Sequence, residues 1–60
     1  MPENLLTIRE AAEFLRTSPH GVYKLVERRR VPHIRVGRKL LFDPAALRAW
    51  ISRLAVPEER

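Results

Sequence analysis

The sequence predicts a mainly α fold, an α+β domain of three short helices and one β-hairpin, and three observations carry that reading. Apolar residues recur at helical spacing in three stretches, each opened by a capping residue. Between the second and third stretch the spacing changes to alternation around a glycine. The 60 residues contain no cysteine, so one small core must form without disulfides or thiolate metal sites. A chain of this length buries only about 60% of the surface it exposes when unfolded, which leaves little room for an active-site cleft of several hundred Å³.

The first helix is read over Ile8 to Leu15. Thr7 is followed three residues later by Glu10, a capping box in which hydroxyl and carboxylate each satisfy an orphan backbone N–H. Ile8, Ala11, Ala12 and Leu15 then fall on one apolar stripe. Ser18-Pro19 restarts the chain as N-cap and first-turn proline. Val22, Leu25 and Val26 form the second stripe, with His20, Tyr23, Lys24, Glu27 and Arg28 on the opposite face. This helix is expected from Pro19 to Arg29, because Pro32 disfavours helical dihedrals at Val31.

Alternation follows. Ile34 and Val36 point one way with Arg35 between them, and Leu40 and Phe42 repeat the pattern beyond Gly37-Arg38. Glycine takes the positive φ that the first position of a two-residue primed turn requires, so the segment reads as a β-hairpin, with Leu41 partly exposed. Asp43-Pro44 caps a third helix, whose stripe is Leu47, Trp50, Ile51 and Leu54; Pro57 and the Glu58-Glu59-Arg60 tail end it. The expected domain is 5–54, with 1–4 and 55–60 as tails. Ile8, Ala12, Leu15, Val22, Leu25, Val26, Ile34, Val36, Phe42, Leu47, Trp50 and Ile51 are expected inside.

Charge points to a partner. The net value is +5, yet Lys24, Arg28, Arg29, Arg30, Arg35, Arg38 and Lys39 stand against Glu27 alone between His20 and Leu41. The rest of the chain carries five arginines against six acids. A basic cluster on an otherwise balanced domain is the footprint of a polyanion, although basic residues also serve simply as solvated surface. The first two helices are joined only by Arg16, Thr17 and Ser18, and Ala12 precedes Val22 by ten residues, as in a helix-turn-helix unit. Such a unit lays its second helix in the major groove. That places His20, Tyr23, Lys24, Glu27 and Arg28 toward base edges. Lys and Arg donate to guanine, and Glu accepts from cytosine N4. The N–H groups from Ser18 to Gly21 are expected to form a phosphate site. Arg35, Arg38 and Lys39 surround the hairpin turn, where a narrow basic ribbon reaches phosphates or a minor groove.

The run from Leu6 to Leu15, with Ser18, Val22 to Val26, Pro32, Arg35 to Lys39, Phe42 and Leu47 to Ile51, resembles the excisionase-type helix-turn-helix family, relatives of the DNA-binding domain of MerR-like regulators. The resemblance covers Leu5 to Leu54. It implies a winged helix-turn-helix whose second helix reads the major groove and whose hairpin is the wing, with Tyr23, Lys24, Arg35, Arg38 and Lys39 as contacts. It also implies a role in recombination directionality or transcription regulation, alongside an integrase or recombinase. A 60-residue module that reads one half-site binds weakly alone, so further copies of the chain on DNA or a partner protein are expected as well. Two positions depart from the family: Arg16 stands where glycine is common, and Gly21 where a hydroxyl residue is usual.

Other chemistries find little support. His20 and His33, with no cysteine, fall short of the roughly four ligands of a zinc site. No nucleophile, base and carboxylate stand at a recognisable spacing, and no glycine-rich phosphate loop is present. No enzyme activity, cofactor, metal or small-molecule ligand is expected. No apolar run approaches a membrane span and the start lacks a signal-peptide pattern, so a cytoplasmic location with no membrane contact is expected. Trp50 reads as core, Tyr23 as either a DNA contact or a core edge, and Phe14 as either a core edge or a partner contact. The rival function is a protein–protein adapter that recruits a recombinase or polymerase. A second rival is RNA binding, but the chain lacks the aromatic platform of single-stranded RNA readers.

Overall fold

A computed structural model describes residues 4–56. The chain runs α1 (Ile8–Leu15), α2 (Pro19–Glu27), β1 (Ile34–Val36), β2 (Lys39–Leu41) and α3 (Pro44–Leu54). Together they make a small α+β winged helix-turn-helix. Each helix starts on the predicted cap. The Thr7 N–H donates to Glu10 Oε1 at 2.9 Å and the Glu10 N–H to Thr7 Oγ1 at 3.2 Å, completing the capping box. Ser18 Oγ accepts from the Gly21 N–H at 3.1 Å, and Asp43 Oδ1 from the Ala45 N–H at 3.2 Å.

α1 and α2 end in the same way. Thr17 donates its N–H to the Ala12 carbonyl at 2.9 Å and Arg16 to that of Glu13 at 3.2 Å. One turn pattern later in the chain, Arg30 donates to Leu25 and Arg29 to Val26, both at 2.9 Å. These are Schellman motifs, which place one residue in the left-handed region. Those residues are Arg16, with φ 59°, and Arg29, with φ 54°. The second motif stops α2 at Glu27, two residues short of the predicted end. Three consecutive arginines give no local sign of where the backbone reverses hand, so the earlier stop was not visible in the sequence.

The core contains Ala11, Ala12, Val22, Val26, Val31, Phe42 and Leu47, all buried. Ala12 and Val22, expected to meet where α1 crosses α2, are both buried in this cluster. Leu6, Ile8, Phe14, Leu15, Leu25, Leu40 and Trp50 pack around this centre while partly exposed. Ala11 and Val31 were not among the expected core residues. Val31 lies outside any periodic segment and is buried directly after the turn at Arg29 and Arg30.

Two expected core residues are outside. Val36 is 53% exposed and Ile51 38%. For Val36 the reason is register. β1 and β2 pair antiparallel with Ile34 opposite Leu41, Arg35 opposite Leu40 and Val36 opposite Lys39. Directly opposed residues share a face. A two-residue loop therefore puts Leu40 on the face of Arg35, and Val36 with Lys39 on the other. The four residues Ile34, Val36, Leu40 and Phe42 cannot all point inward across such a turn. Gly37 has φ +59° as predicted, and Arg38 stays outside the positive-φ region, the combination of a type II′ turn. Ile51 lies on α3, where the apolar stripe is wider than the core it meets.

One further pairing ties the wing to the start of the domain. The Leu6 N–H donates to the Phe42 carbonyl at 2.7 Å and the Phe42 N–H to the Leu6 carbonyl at 2.9 Å. Leu6 thus adds a one-residue third rung beside β2, immediately before α1 begins.

Candidate nucleic-acid interface

The exposed side of α2 divides into two rows, because residues four apart stand above one another on a helix. His20, Lys24 and Arg28 form one row, and Tyr23 and Glu27 the other. All five are exposed. The second row faces the wing across an open groove of about 890 Å³. Tyr23, Glu27, Arg29, Arg35, Arg38 and Lys39 supply its polar wall, with Thr7, Ile8 and Val26 behind. The expectation of no active-site cleft concerns a cavity cut into the core, whereas this space lies open between two surface elements.

The groove is electropositive. Arg29, Arg35, Arg38 and Lys39 stand against Glu27 alone, a net of +3. Charges mostly of one sign between low-dielectric walls reinforce one another's field, so positive potential is concentrated here. Tyr23 is 49% exposed and joins the groove wall, whereas its neighbour Val22 is fully buried. Arg35 and Leu40 share one face of the hairpin, so the arginine stands beside the core-facing leucine and lines the groove with it. His33 is half-buried at the same wall. Its Nδ1 lies 2.9 Å from the Val31 carbonyl, which can only accept, so Nδ1 carries the proton.

Of the sequence-derived contacts, Tyr23, Glu27, Arg35, Arg38 and Lys39 come together around this groove, while Ser18, His20, Gly21, Lys24 and Arg28 lie outside it. Arg29 lines the groove; the sequence reads the run Arg28 to Arg30 as a helix C-terminal set that also faces phosphate, without singling Arg29 out. Its position depends on the backbone reversal after Glu27, which no spacing rule reports.

The expectation of a row of free N–H groups from Ser18 to Gly21 needs correction. Proline has no N–H, and the Gly21 N–H is already bound by Ser18 Oγ. At most Ser18 and His20 can offer theirs. The structure also explains the glycine: a Cβ at Gly21 would stand 2.6 Å from Thr17 Oγ1. The hydroxyl residue usual there would need Thr17 to turn away.

A second, apolar concavity of about 330 Å³ shares no lining residue with the groove and is lined by Phe14, Leu15, Leu25, Trp50, Ile51 and Leu54. Arg48 Cζ stands 5.7 Å from the centre of the Phe14 ring, a cation–π contact at its rim. Phe14 packs against the core while partly exposed. Among the described residues, no group of three or more His, Asp or Glu side chains gathers to hold a metal ion, and no helix is long and apolar enough to cross a membrane.

The sequence matches the family model described as a helix-turn-helix domain over residues 5–55. The chain belongs to this helix-turn-helix family, of the excisionase type. DNA binding is the general function of the family. No curated protein and no solved structure matches the chain.

Proposed function

We propose that this helix-turn-helix domain binds duplex DNA sequence-specifically, with α2 in the major groove and the β1–β2 wing on the neighbouring backbone or minor groove. The observation that carries the reading is the groove lined by Arg29, Arg35, Arg38 and Lys39. Neighbouring major and minor grooves of a duplex are separated by one sugar–phosphate strand. Two elements that enter them must straddle that strand, and a concave basic space between helix and wing is the shape that does so.

Roles follow from the two rows on α2. His20, Lys24 and Arg28 face away from the groove and reach base edges, with lysine and arginine donating to guanine O6 and N7. Tyr23 donates its hydroxyl to the strand. Glu27 is repelled by phosphate, so its carboxylate is assigned to a base amino group. Ser18 and His20 bring the start of α2 to the backbone through the N–H groups that remain, and Gly21, with no side chain, lets the strand approach closely. Arg35, Arg38 and Lys39 bind phosphates and set the register of the wing. The domain carries out no catalysis and needs no cofactor. It acts as a small excisionase-like recombination directionality factor or transcription regulator. The protein-adapter reading draws on the apolar concavity at Trp50, Ile51 and Leu54, which lies away from the basic groove.

The test is titration of random and selected duplex DNA at several salt concentrations. The wing cations Arg35, Arg38 and Lys39 on phosphates give a slope of log K against log salt of about −2.7. Affinity then falls by about 40-fold between 50 and 200 mM salt. On the selected site, Lys24→Ala or Arg28→Ala costs about 1–3 kcal/mol and much less on random duplex. Arg38→Ala weakens both DNAs similarly and flattens the slope by about one unit. A slope near zero leaves the adapter as the better reading.

A further inference from the structure

We infer that Arg29 is a phosphate-binding residue that grips the strand lying between α2 and the wing, from a left-handed backbone position that glycine would fill more comfortably. The inference rests on the DNA-binding reading above and adds a contact at the turn itself.

Two observations carry it. Arg29 has φ 54° as the left-handed residue of the Schellman motif that ends α2. A non-glycine residue there brings its Cβ too close to the following carbonyl oxygen. Such strain alone assigns nothing, because Arg16 holds the same place after α1 with φ 59°. The difference lies in what each side chain meets. Arg29 lines the basic groove with Arg35, Arg38 and Lys39, and Arg16 does not.

Position adds to this. Arg29 approaches the groove from the end of α2, whereas Arg35, Arg38 and Lys39 approach from the wing. A phosphate on a strand between the two elements would otherwise meet, on the helix side, only Tyr23 and the repelling carboxylate of Glu27. Arg29 places a cation opposite the wing and closes the grip from both sides. Its guanidinium can bind a phosphate bidentately, which glycine cannot do at all.

The pair of left-handed arginines provides the experiment. Arg29→Gly and Arg16→Gly each relieve the same backbone conformation and remove one charge. Both are expected to melt several °C above the parent. On random and selected duplex, Arg29→Gly is expected to bind about tenfold more weakly, with a salt slope shallower by about one unit. Arg29→Asn, neutral but tolerant of this backbone region, should lose affinity to the same degree. Arg53→Ala, which removes a charge from α3 outside the groove, should bind within about twofold of the parent. Arg29→Gly binding as tightly as the parent would overturn the inference and leave the arginine as a helix cap only. An equal loss in Arg53→Ala would also overturn it, by making net charge the cause. A parent protein with no salt-dependent DNA affinity fails at the earlier step, the DNA-binding reading itself.

Discussion

Replacing Phe42 with alanine tests whether the wing and the helices share one core. Phe42 is fully buried, among the largest side chains that are, and it follows β2 directly. Alanine keeps both backbone bonds to Leu6, so the loss is confined to the side chain and the cavity it leaves. Truncation of a buried phenylalanine costs about 3–5 kcal/mol. A 60-residue domain at roughly 0.05–0.15 kcal/mol per residue has only about 3–9 kcal/mol in total. Each kcal/mol lowers the thermal midpoint of a domain this size by about 4–8 °C. The midpoint should therefore fall by at least about 12 °C, and the variant is expected to be partly unfolded at 37 °C. Phe42→Leu, which refills most of the volume, should cost less than about 1.5 kcal/mol. Thermal and urea melts followed by far-ultraviolet circular dichroism measure both variants. A drop below about 5 °C for Phe42→Ala would refute the shared core and make the wing an appendage.

Two further outcomes follow from the packing. Trp50 is half-buried rather than enclosed, so Trp50→Ala should cost roughly 2–3 kcal/mol, below the full cost of a buried tryptophan, and leave DNA affinity of the folded fraction unchanged. A DNA titration monitored alongside a chemical melt separates the two effects. Gly37→Ala meets no atom within 4 Å but must hold φ +59°, so it should cost about 1 kcal/mol, and Gly37→Asn clearly less. Equal melting of all three proteins would show that the turn relaxes without strain.

What could be read from the residues alone was governed by how local its cause is. The caps at Thr7, Ser18 and Asp43 fixed three helix starts, because each depends on contacts within three residues. The glycine turn at Gly37 and the crossing at Ala12 and Val22 are local in the same sense. The inward-pointing face of the hairpin is not. It depends on which residue of β1 opposes which residue of β2, and apolar alternation in each strand separately gave an answer that the register forbids at Val36. The burial of Val31 and the separate place of Arg29 within its run were not legible for a related reason. Both owe their places to a left-handed turn in a run of three arginines, where every residue has the same chemistry and only the backbone distinguishes them. The basic cluster was visible in the composition, but its division between a helix row, a turn and a wing was not.

The bridge between Leu6 and Phe42 has a consequence for how the domain folds. It joins residues 36 apart, and the hairpin and all of the helix-turn-helix lie within the loop it closes. Closing a chain segment of that length costs about 3 kcal/mol of entropy by ideal-chain scaling, comparable to the whole stability expected of so small a domain. Helices and hairpin can form locally within microseconds, but none of them completes that closure alone. Burial of Phe42, itself one of the two ends, is what offsets it. Folding should therefore be limited by this single long-range meeting, with wing and helices appearing together in one kinetic phase.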